Sequence, residues 1–525
     1  MTILIKNGEV VDGLGKKPYI ADVLLDNGII KNVGQSPDVI ADEIIDAKGL
    51  IVAPGFIDTH THTDNVLSYD RQHINGLLQG ITTEIAGQCG LGLVPLEKEM
   101  VHNYGKLYTG IFGDLSLPSK AYKNVDGFLN SFDGCTAVNI AVNATHGPIR
   151  LAGAGFTDIP LEGDALECSK RALESSLIEG AVGFSSGLVN YPDGYSDTKE
   201  LIELCKVAYK YDVPFVMHMR TFKDNFNPVE EIIEVGRRTG VKLHFSHYKT
   251  QHPQTVGKPG ERIKLFKIAM EEGIDISFDL YPYHAGSGSV VVFLPYWAVE
   301  GGYDKVMERL SDKILRQKLE YSIENIYAMR TKWTGSIFTY LKNQKEYTGK
   351  SFDAVAKEKG MTIHSMIIDV LLENELEVGY RHTEPDDEIS SIMDDDVMEL
   401  LDLPNCMVGT DMIPIGGKPH PRAFGCFPKI LRLSREKKQP LEKIINRMTL
   451  VPAKRFKLLD RGCILPGKAA DLVIFDYSTV TDTATYECPR NAPKGIKYVI
   501  VNGEVAVRDE KPTGIFAGKG LRRMI

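Results

Sequence analysis

The chain is 525 residues long, 43% hydrophobic and 25% charged, with a net charge of −9 and a pI near 5.9; that is enough for one large domain with an appendage, or for two or three domains. With no basic tract, the composition argues against a nucleic-acid binder and against a polybasic membrane-surface protein. The start, Met1-Thr2-Ile3-Leu4-Ile5-Lys6, is too polar for a signal peptide and no run approaches the roughly eighteen apolar residues of a membrane span, so a cytoplasmic protein is expected. The 8 cysteines contain no Cys-x-x-Cys pair and read as reduced thiols rather than a disulfide framework.

Residues 1 to about 53 carry short apolar runs, Ile3-Leu4-Ile5, Val10-Val11, Ala21-Asp22-Val23-Leu24-Leu25 and Ile29-Ile30-Lys31-Asn32-Val33, broken by Asn-Gly at 7–8 and 27–28. Asn-Gly favours the tight turn of a β-hairpin, so both pairs predict hairpins in a small antiparallel unit. The same style returns in Ala470-Asp471-Leu472-Val473-Ile474-Phe475 and from Tyr498 to Val507. Two β-rich ends around a different middle predict one small β-sandwich, residues 1–53 plus 461–525, built from both termini.

From Pro54 the pattern changes to short apolar runs alternating with amphipathic stretches, as in a parallel α/β sheet. The runs are 55–62, 82–89, 139–146, 180–188, 214–220, 242–249, 275–283 and 405–411, with helical candidates such as 197–211, 228–239 and 260–272 between them. Asp197, Asn227 and Gly260 stand where caps belong. Eight strand–helix units predict a (β/α)8 TIM barrel over 54–460, whose catalytic groups sit at the carboxyl ends of the strands. The long stretch between the last two runs holds further helical patterns at 303–325 and 362–374. It predicts an insertion, placed at about 288–350, that covers the barrel mouth as a wall or lid.

The first run ends Asp58-Thr59-His60-Thr61-His62. Residues two apart on an extended chain face the same way, so His60 and His62 can reach one metal ion. Later runs end in Cys89, His218, His247 and Asp411, and it is their joint placement at barrel strand ends, rather than any one of them, that points to a metal centre.

This arrangement resembles the amidohydrolase superfamily. Gly87-Gln88-Cys89-Gly90, Gly183-Phe184-Ser185-Ser186-Gly187-Leu188, Ser246-His247-Tyr248-Lys249, Tyr281-Pro282-Tyr283-His284-Ala285-Gly286-Ser287 and His420-Pro421-Arg422 are similar to the N-acyl-D-amino-acid deacylase (D-aminoacylase) family. The resemblance runs from the first strand to Gly518-Lys519-Gly520-Leu521-Arg522-Arg523. It implies the metal-dependent hydrolysis of an N-acyl-D-amino acid to a D-amino acid and a carboxylate, the substrate being a small molecule. It also implies one tightly bound Zn2+ on Cys89, His218 and His247, with His60, His62 and Asp411 forming a second, looser position or flanking the reactive water. The fourth run has no lysine to bridge two metals, which leaves the Cys89 thiolate as the substitute. Asp411 is then the proton shuttle. By the same resemblance Lys249, Tyr281, Ser287 and Arg422 hold the substrate's α-carboxylate, and an imidazole or Tyr191 hydrogen-bonds the oxyanion.

Met412 departs from the family, which usually has glycine after the aspartate, and adds bulk near the site together with Ile413-Pro414-Ile415. Arg220 and Lys223 are the cations available for an acidic substrate side chain, while His146 and His284 fall at strand ends without an assigned role. The competing readings are a cyclic-amide hydrolase of the hydantoinase or dihydroorotase kind, which Cys89 and the missing lysine oppose, and an inactive scaffold, which the intact ligand set opposes.

Overall fold

A computed structural model describes residues 1–35, 39–115, 124–221, 227–330 and 335–524. All eight apolar runs of the middle region form strands: β1 (Phe56–Asp58), β2 (Ile81–Ala86), β3 (Asn139–Val142, continued by Ala144–Thr145), β4 (Phe184–Gly187), β5 (Pro214–His218), β6 (Lys242–Phe245), β7 (Ile276–Leu280) and β8 (Cys406–Val408). Each pairs in parallel with the next. The ring closes between β8 and β1, where the Thr59 amide donates to Val408 O at 3.3 Å and the Asp411 amide to His60 O at 2.7 Å. Closure removes the sheet edges and gathers eight strand ends around one mouth.

The crossover helices begin where the sequence offers caps. Asp197 accepts from the Glu200 amide at 2.8 Å at the start of Thr198–Lys210, and Asn227 accepts from the Val229 amide at 3.0 Å before Pro228–Thr239. Such caps satisfy amides that have no partner within the helix. The third candidate divides at Ile263 into Pro259–Arg262 and Lys264–Glu271.

Both termini contribute to one nine-stranded mixed sheet, joined where Ile51–Pro54 pairs antiparallel with Leu472–Phe475. The expected sandwich thus takes the form of one continuous hydrogen-bonded sheet with its own apolar core, including Ile3, Val23, Val52, Leu472 and Ile500. Asn27-Gly28 makes the expected hairpin, but Asn7-Gly8 does not. It lies inside the strand Thr2–Val10 and forms a bulge between Ile5 and Gly8 in the pairing with Tyr19–Asp26. The glycine answers to packing there, because a Cβ on Gly8 would stand 2.4 Å from a Val52 methyl.

The insertion between β7 and β8 runs well past residue 350. Its three-stranded sheet, Ser287–Ser289, Val378–His382 and Ser336–Leu341, continues to His382. A second apolar core unites it with the loops after β2 and β4, through Leu91, Tyr104, Tyr191, Phe293 and Tyr380. It forms a wall of the cleft at the barrel mouth. No helix among the described residues is long and apolar enough to cross a membrane.

Two strand-end histidines have structural partners. His284 Nε2 meets Asp394 Oδ1 at 2.9 Å, tying the loop after β7 to the insertion's last helix. His146 Nε2 meets Glu200 Oε1 at 2.9 Å, and the same carboxylate accepts from Arg150 Nε at 2.9 Å and the Leu161 amide at 2.8 Å. Burial alone would raise the Glu200 carboxyl, but His146 and Arg150 outweigh it and lower it to about 2. A folded-state pKa below the unfolded value gives stability that is present above about pH 4.5 and lost as the pH falls towards about 2. Glu200→Ala leaves Arg150 buried and unpaired, a change that typically costs about 3–5 kcal/mol. A clear drop in the thermal unfolding midpoint at pH 7 is expected, and an unchanged midpoint would show that the network is dispensable.

Candidate metal centre and cleft

The side chains at the ends of β1, β2, β5, β6 and β8 converge. Cys89 Sγ lies 3.6 Å from His218 Nδ1 and 3.6 Å from His247 Nε2, and those two nitrogens are 2.9 Å apart. Zinc–sulfur and zinc–nitrogen bonds of about 2.3 and 2.0–2.1 Å at tetrahedral angles put ligand atoms about 3.3–3.6 Å apart, so the two sulfur–nitrogen edges match such an ion and the nitrogen–nitrogen edge is shorter than the ion would set it. His60 Nε2 is 3.3 Å from the same sulfur. His62 Nε2 and His60 Nε2 stand 3.3 and 3.8 Å from Asp411 Oδ1, giving a second group of ligands, His60, His62 and Asp411, beside the first. All six residues named from the sequence are therefore in one place.

Three of them hold backbone conformations that side-chain-bearing residues rarely adopt: φ is +54° at Cys89, +37° at His247 and +51° at Asp411. Each such residue costs on the order of 1–3 kcal/mol and persists only where its surroundings fix it. At Cys89 the neighbouring Gly90 amide donates to Ser185 Oγ at 3.0 Å and the Asn190 side chain to Cys89 O at 3.0 Å. Gly187 presses so closely that a Cβ there would lie 1.9 Å from Cys89 O. At His247 the amide donates to Asp279 Oδ1 at 2.7 Å. Beside Asp411, Asp58 accepts from the Thr410 amide at 2.9 Å and the Thr410 hydroxyl at 2.6 Å, and also from the His60 amide at 3.1 Å. One carboxylate thereby joins the ends of β1 and β8.

Asp279, inside β7, reaches further. Its Oδ2 lies 3.3 Å from His60 Nδ1 and 2.9 Å from His244 Nε2. A carboxylate only accepts, so His60 Nδ1 carries a proton in either ring form, and Nε2 is the atom that would turn its lone pair to a metal beside Cys89 and Asp411. Burial would raise the Asp279 carboxyl, but His60 and His244 outweigh it and hold it far below the usual range. Burial likewise opposes the Cys89 thiolate, yet the His60, His218 and His247 rings together keep the thiol well below its ordinary value. The donor set is a thiolate, imidazoles and a carboxylate in a buried place, which is the chemistry of a transition-metal ligand set. Neither Asp279 nor Asp58 was identified from the sequence. The available signal was a lone acid within an apolar strand, Phe278-Asp279-Leu280 and Phe56-Ile57-Asp58.

The residues expected to hold a carboxylate form a layer behind Asp411. Arg422 Nη1 is 2.7 Å from Asp411 Oδ2, off hydrogen-bond alignment, and none of the three buried guanidinium nitrogens has an aligned acceptor. The Tyr281 ring lies under both Arg422 and Lys249, at 4.7 and 3.6 Å from their charged centres. Lys249 already donates to the carbonyls of Tyr281 and Tyr283. The Arg422 amide donates to His420 Nδ1 at 3.1 Å, and His420 Nε2 faces the Tyr486 hydroxyl at 3.3 Å, so the segment joining two strands of the terminal sheet buttresses this layer.

Two expectations change. Tyr191 lines the cleft, but its hydroxyl donates to Leu294 O rather than into the open space. The Ser287 hydroxyl donates to Tyr380 O at 2.8 Å. Arg220 is engaged by Glu231 at 3.1 Å and by the Gly194 carbonyl at 3.2 Å, and Lys223 lies outside the described residues. The cleft itself is bordered by His62, Cys89, His218, His247 and Asp411.

Residues 43–153 and 361–507 match the model of the Amidohydrolase family. The chain is 30% identical to a D-aminoacylase of Alcaligenes xylosoxydans xylosoxydans, across 99% of this chain and 97% of that protein. It is also 30% identical to an N-acyl-D-aspartate deacylase of the same organism, across 97% and 93%. Among solved structures, an N-acyl-D-glutamate deacylase of Bordetella bronchiseptica, complexed with zinc and a phosphonate mimic of the tetrahedral intermediate, superposes with a TM-score of 0.81 at 27% identity, covering 99% of each chain.

Asp279→Asn cannot accept from His60, His244 and the His247 amide together, and an amide NH2 facing His60 Nδ1 displaces the proton that frees Nε2. Losing such an outer partner typically weakens metal binding about 10–100-fold. Competition with a chromophoric chelator should read that loss for zinc, and an unaltered affinity would show that Asp279 does not orient the ligands.

Proposed function

The chain belongs to the D-aminoacylase family of amidohydrolases, and from that premise we infer that it hydrolyses the amide bond of N-acyl-D-amino acids, releasing a D-amino acid and a carboxylate. The observation that carries this reading is the junction of the Cys89–His218–His247 triangle with Asp411 and, behind it, the buried guanidinium of Arg422, which is ion-paired to Asp411 at 2.7 Å and has no aligned hydrogen-bond acceptor. Cys89, His218 and His247 would hold one zinc ion, with His60, His62 and Asp411 as a looser position, and the chemistry supplied there would be that of a Lewis acid that lowers the pKa of a water from about 15.7 to about 7.

The residues of the chain do the rest. Asp411 stays ionised: burial opposes this, but Arg422 and the His62 ring outweigh burial and hold the carboxyl well below its usual range. Its Oδ1 accepts a proton from the attacking water and later delivers it to the amine that leaves. Arg422 offers the substrate's α-carboxylate a planar fork of donors, with the Lys249 amine, which burial and Arg422 push well below its ordinary range, as a further donor and Tyr281 packed beneath both. Holding that carboxylate fixes which substituents of the α-carbon point into the cleft, and so gives selection between D and L substrates. A hydantoin or dihydropyrimidine has no free carboxylate for Arg422, while dihydroorotate has one, and Cys89 with the missing lysine in the fourth run opposes that reading.

Amine release from N-acetyl-D-methionine and N-acetyl-L-methionine, with zinc quantified in the same preparation, tests the reading. Release from the D substrate alone is expected, and release from neither by a zinc-loaded protein would overturn it. Asp411→Asn should retain the zinc of the Cys89 group while kcat falls at least about 100-fold, within the usual range for a proton-transfer residue. A near-wild-type kcat would remove Asp411 from that role.

A further inference from the structure

The sheet built by the two termini stands outside the barrel, yet the segment that joins its strands Leu472–Phe475 and Ile496–Val501 reaches the layer behind Asp411. This segment lies along the loop after β8: Lys418 Nζ donates to Glu487 O at 2.8 Å, and Arg490 Nη2 donates to Pro414 O and Gly416 O at 3.1 and 2.7 Å. Its Tyr486 is buried, and three supports of the layer meet on it. The hydroxyl faces His420 Nε2 at 3.3 Å and accepts from the amide of Ala285, in the loop after β7, at 3.2 Å. The carbonyl accepts from Arg381 Nη2 at 2.7 Å, and the same guanidinium lies 4.8 Å from the centre of the Tyr486 ring. Arg381 belongs to the insertion, where it is paired across from Ser287.

His420 connects this residue to Arg422. Its Nδ1 accepts from the amide of Arg422, the first residue of the helix Arg422–Glu436. An accepting nitrogen carries no proton, so the proton of the neutral ring sits on Nε2 and points at Tyr486. Burial, and after it the Arg422 guanidinium, keep the ring from taking up a second proton. Resting on the reaction inferred above, we propose that Tyr486 of the terminal unit is a positioning residue of the hydrolase: through His420 it fixes the start of the helix that carries Arg422, and so sets where the substrate's α-carboxylate is held. Without the hydroxyl, a buried ring N–H has no acceptor, and a ring that turns or exchanges its tautomer to find one releases the Arg422 amide. The Arg422 guanidinium is ion-paired to Asp411 but has no aligned hydrogen-bond acceptor, so its aim follows the backbone from which it springs.

The test reads KM and kcat for N-acetyl-D-methionine on the zinc-loaded full chain, on Tyr486→Phe, on Arg422→Ala and on the double variant. Tyr486→Phe removes one hydroxyl and no group of the metal centre. KM should rise about five- to tenfold, the scale of one neutral hydrogen bond, while kcat stays within about twofold and zinc content is unchanged. In the Arg422→Ala background the same exchange should alter kcat/KM by less than about twofold, because the group it positions is gone. A KM that does not move, a loss carried by kcat, or an equal loss in both backgrounds overturns this inference and leaves the hydrolase reading standing. His420→Asn keeps an oxygen acceptor for the Arg422 amide but gives up the contact with Tyr486. It should raise KM to a similar extent, and a wild-type KM there overturns the inference even where the tyrosine variant fails to fold. Silence of the zinc-loaded wild-type chain towards N-acetyl-D-amino acids overturns both.

Discussion

A cysteine sulfur and two imidazole nitrogens lying 2.9–3.6 Å apart in the interior impose the constraint around which the molecule is arranged. The buried Cys89 thiolate depends on the surrounding imidazoles, with His60 at 3.3 Å among them, to offset its charge. Local sequence preference does not bring these groups together, since Cys89 precedes His218 by 129 residues and His218 and His247 stand at the ends of successive strands 29 residues apart. The barrel is what makes the convergence possible: eight strand ends open on one mouth, so a single side chain from each suffices.

That convergence rests on a supporting layer of buried carboxylates. Asp58 binds the β1 and β8 ends to each other, and Asp279 binds a β1 ligand to a β6 ligand. Each accepts several donors at once and so removes freedom from the ligands it holds; at Asp279 those donors outweigh burial, whereas burial and the nearby Glu84 push the Asp58 carboxyl up to about 8. The left-handed backbone at Cys89, His247 and Asp411 is the local cost of aiming those side chains inward. The hydrogen bonds to Ser185, Asn190 and Asp279, and from the Asp411 amide to His60, are what sustain it. A pre-set site of this kind loses little freedom when a metal or substrate arrives, and less binding energy is then consumed in ordering it.

Much of this was readable in the chain because it depends on local periodicity. The eight runs became strands, the caps at Asp197 and Asn227 formed, and His60 and His62 share a side because alternate residues of an extended chain must. What escaped was decided by contacts between distant segments. Asn7-Gly8 has the composition of a hairpin turn but is a bulge set by packing against Val52. Asp279 reads as an isolated acid in an apolar strand until His60, His244 and the His247 amide surround it. The hydroxyls of Tyr191 and Ser287 suggested donors for a substrate, yet nearby carbonyls engage them, and no sequence rule ranks a carbonyl from another loop above a ligand. The extent of the insertion was underestimated because its third strand lies far along the chain and packs with loops that precede it.

The segment from Gly518 to Leu521 lies along β3, with the Ile140 amide donating to Lys519 O at 2.9 Å and the Leu521 amide to Ile140 O at 2.7 Å. Gly518 fits so tightly that a Cβ would come within 2.0 Å of Val138 O. Asn139 and Lys519, 380 residues apart, are thus held side by side, and one flank of the third barrel strand is completed by a segment that follows the terminal sheet rather than by its barrel neighbour. A larger residue at Gly518 would therefore loosen β3 without touching a ligand, which makes the order of the barrel depend on a segment that contributes nothing to its mouth.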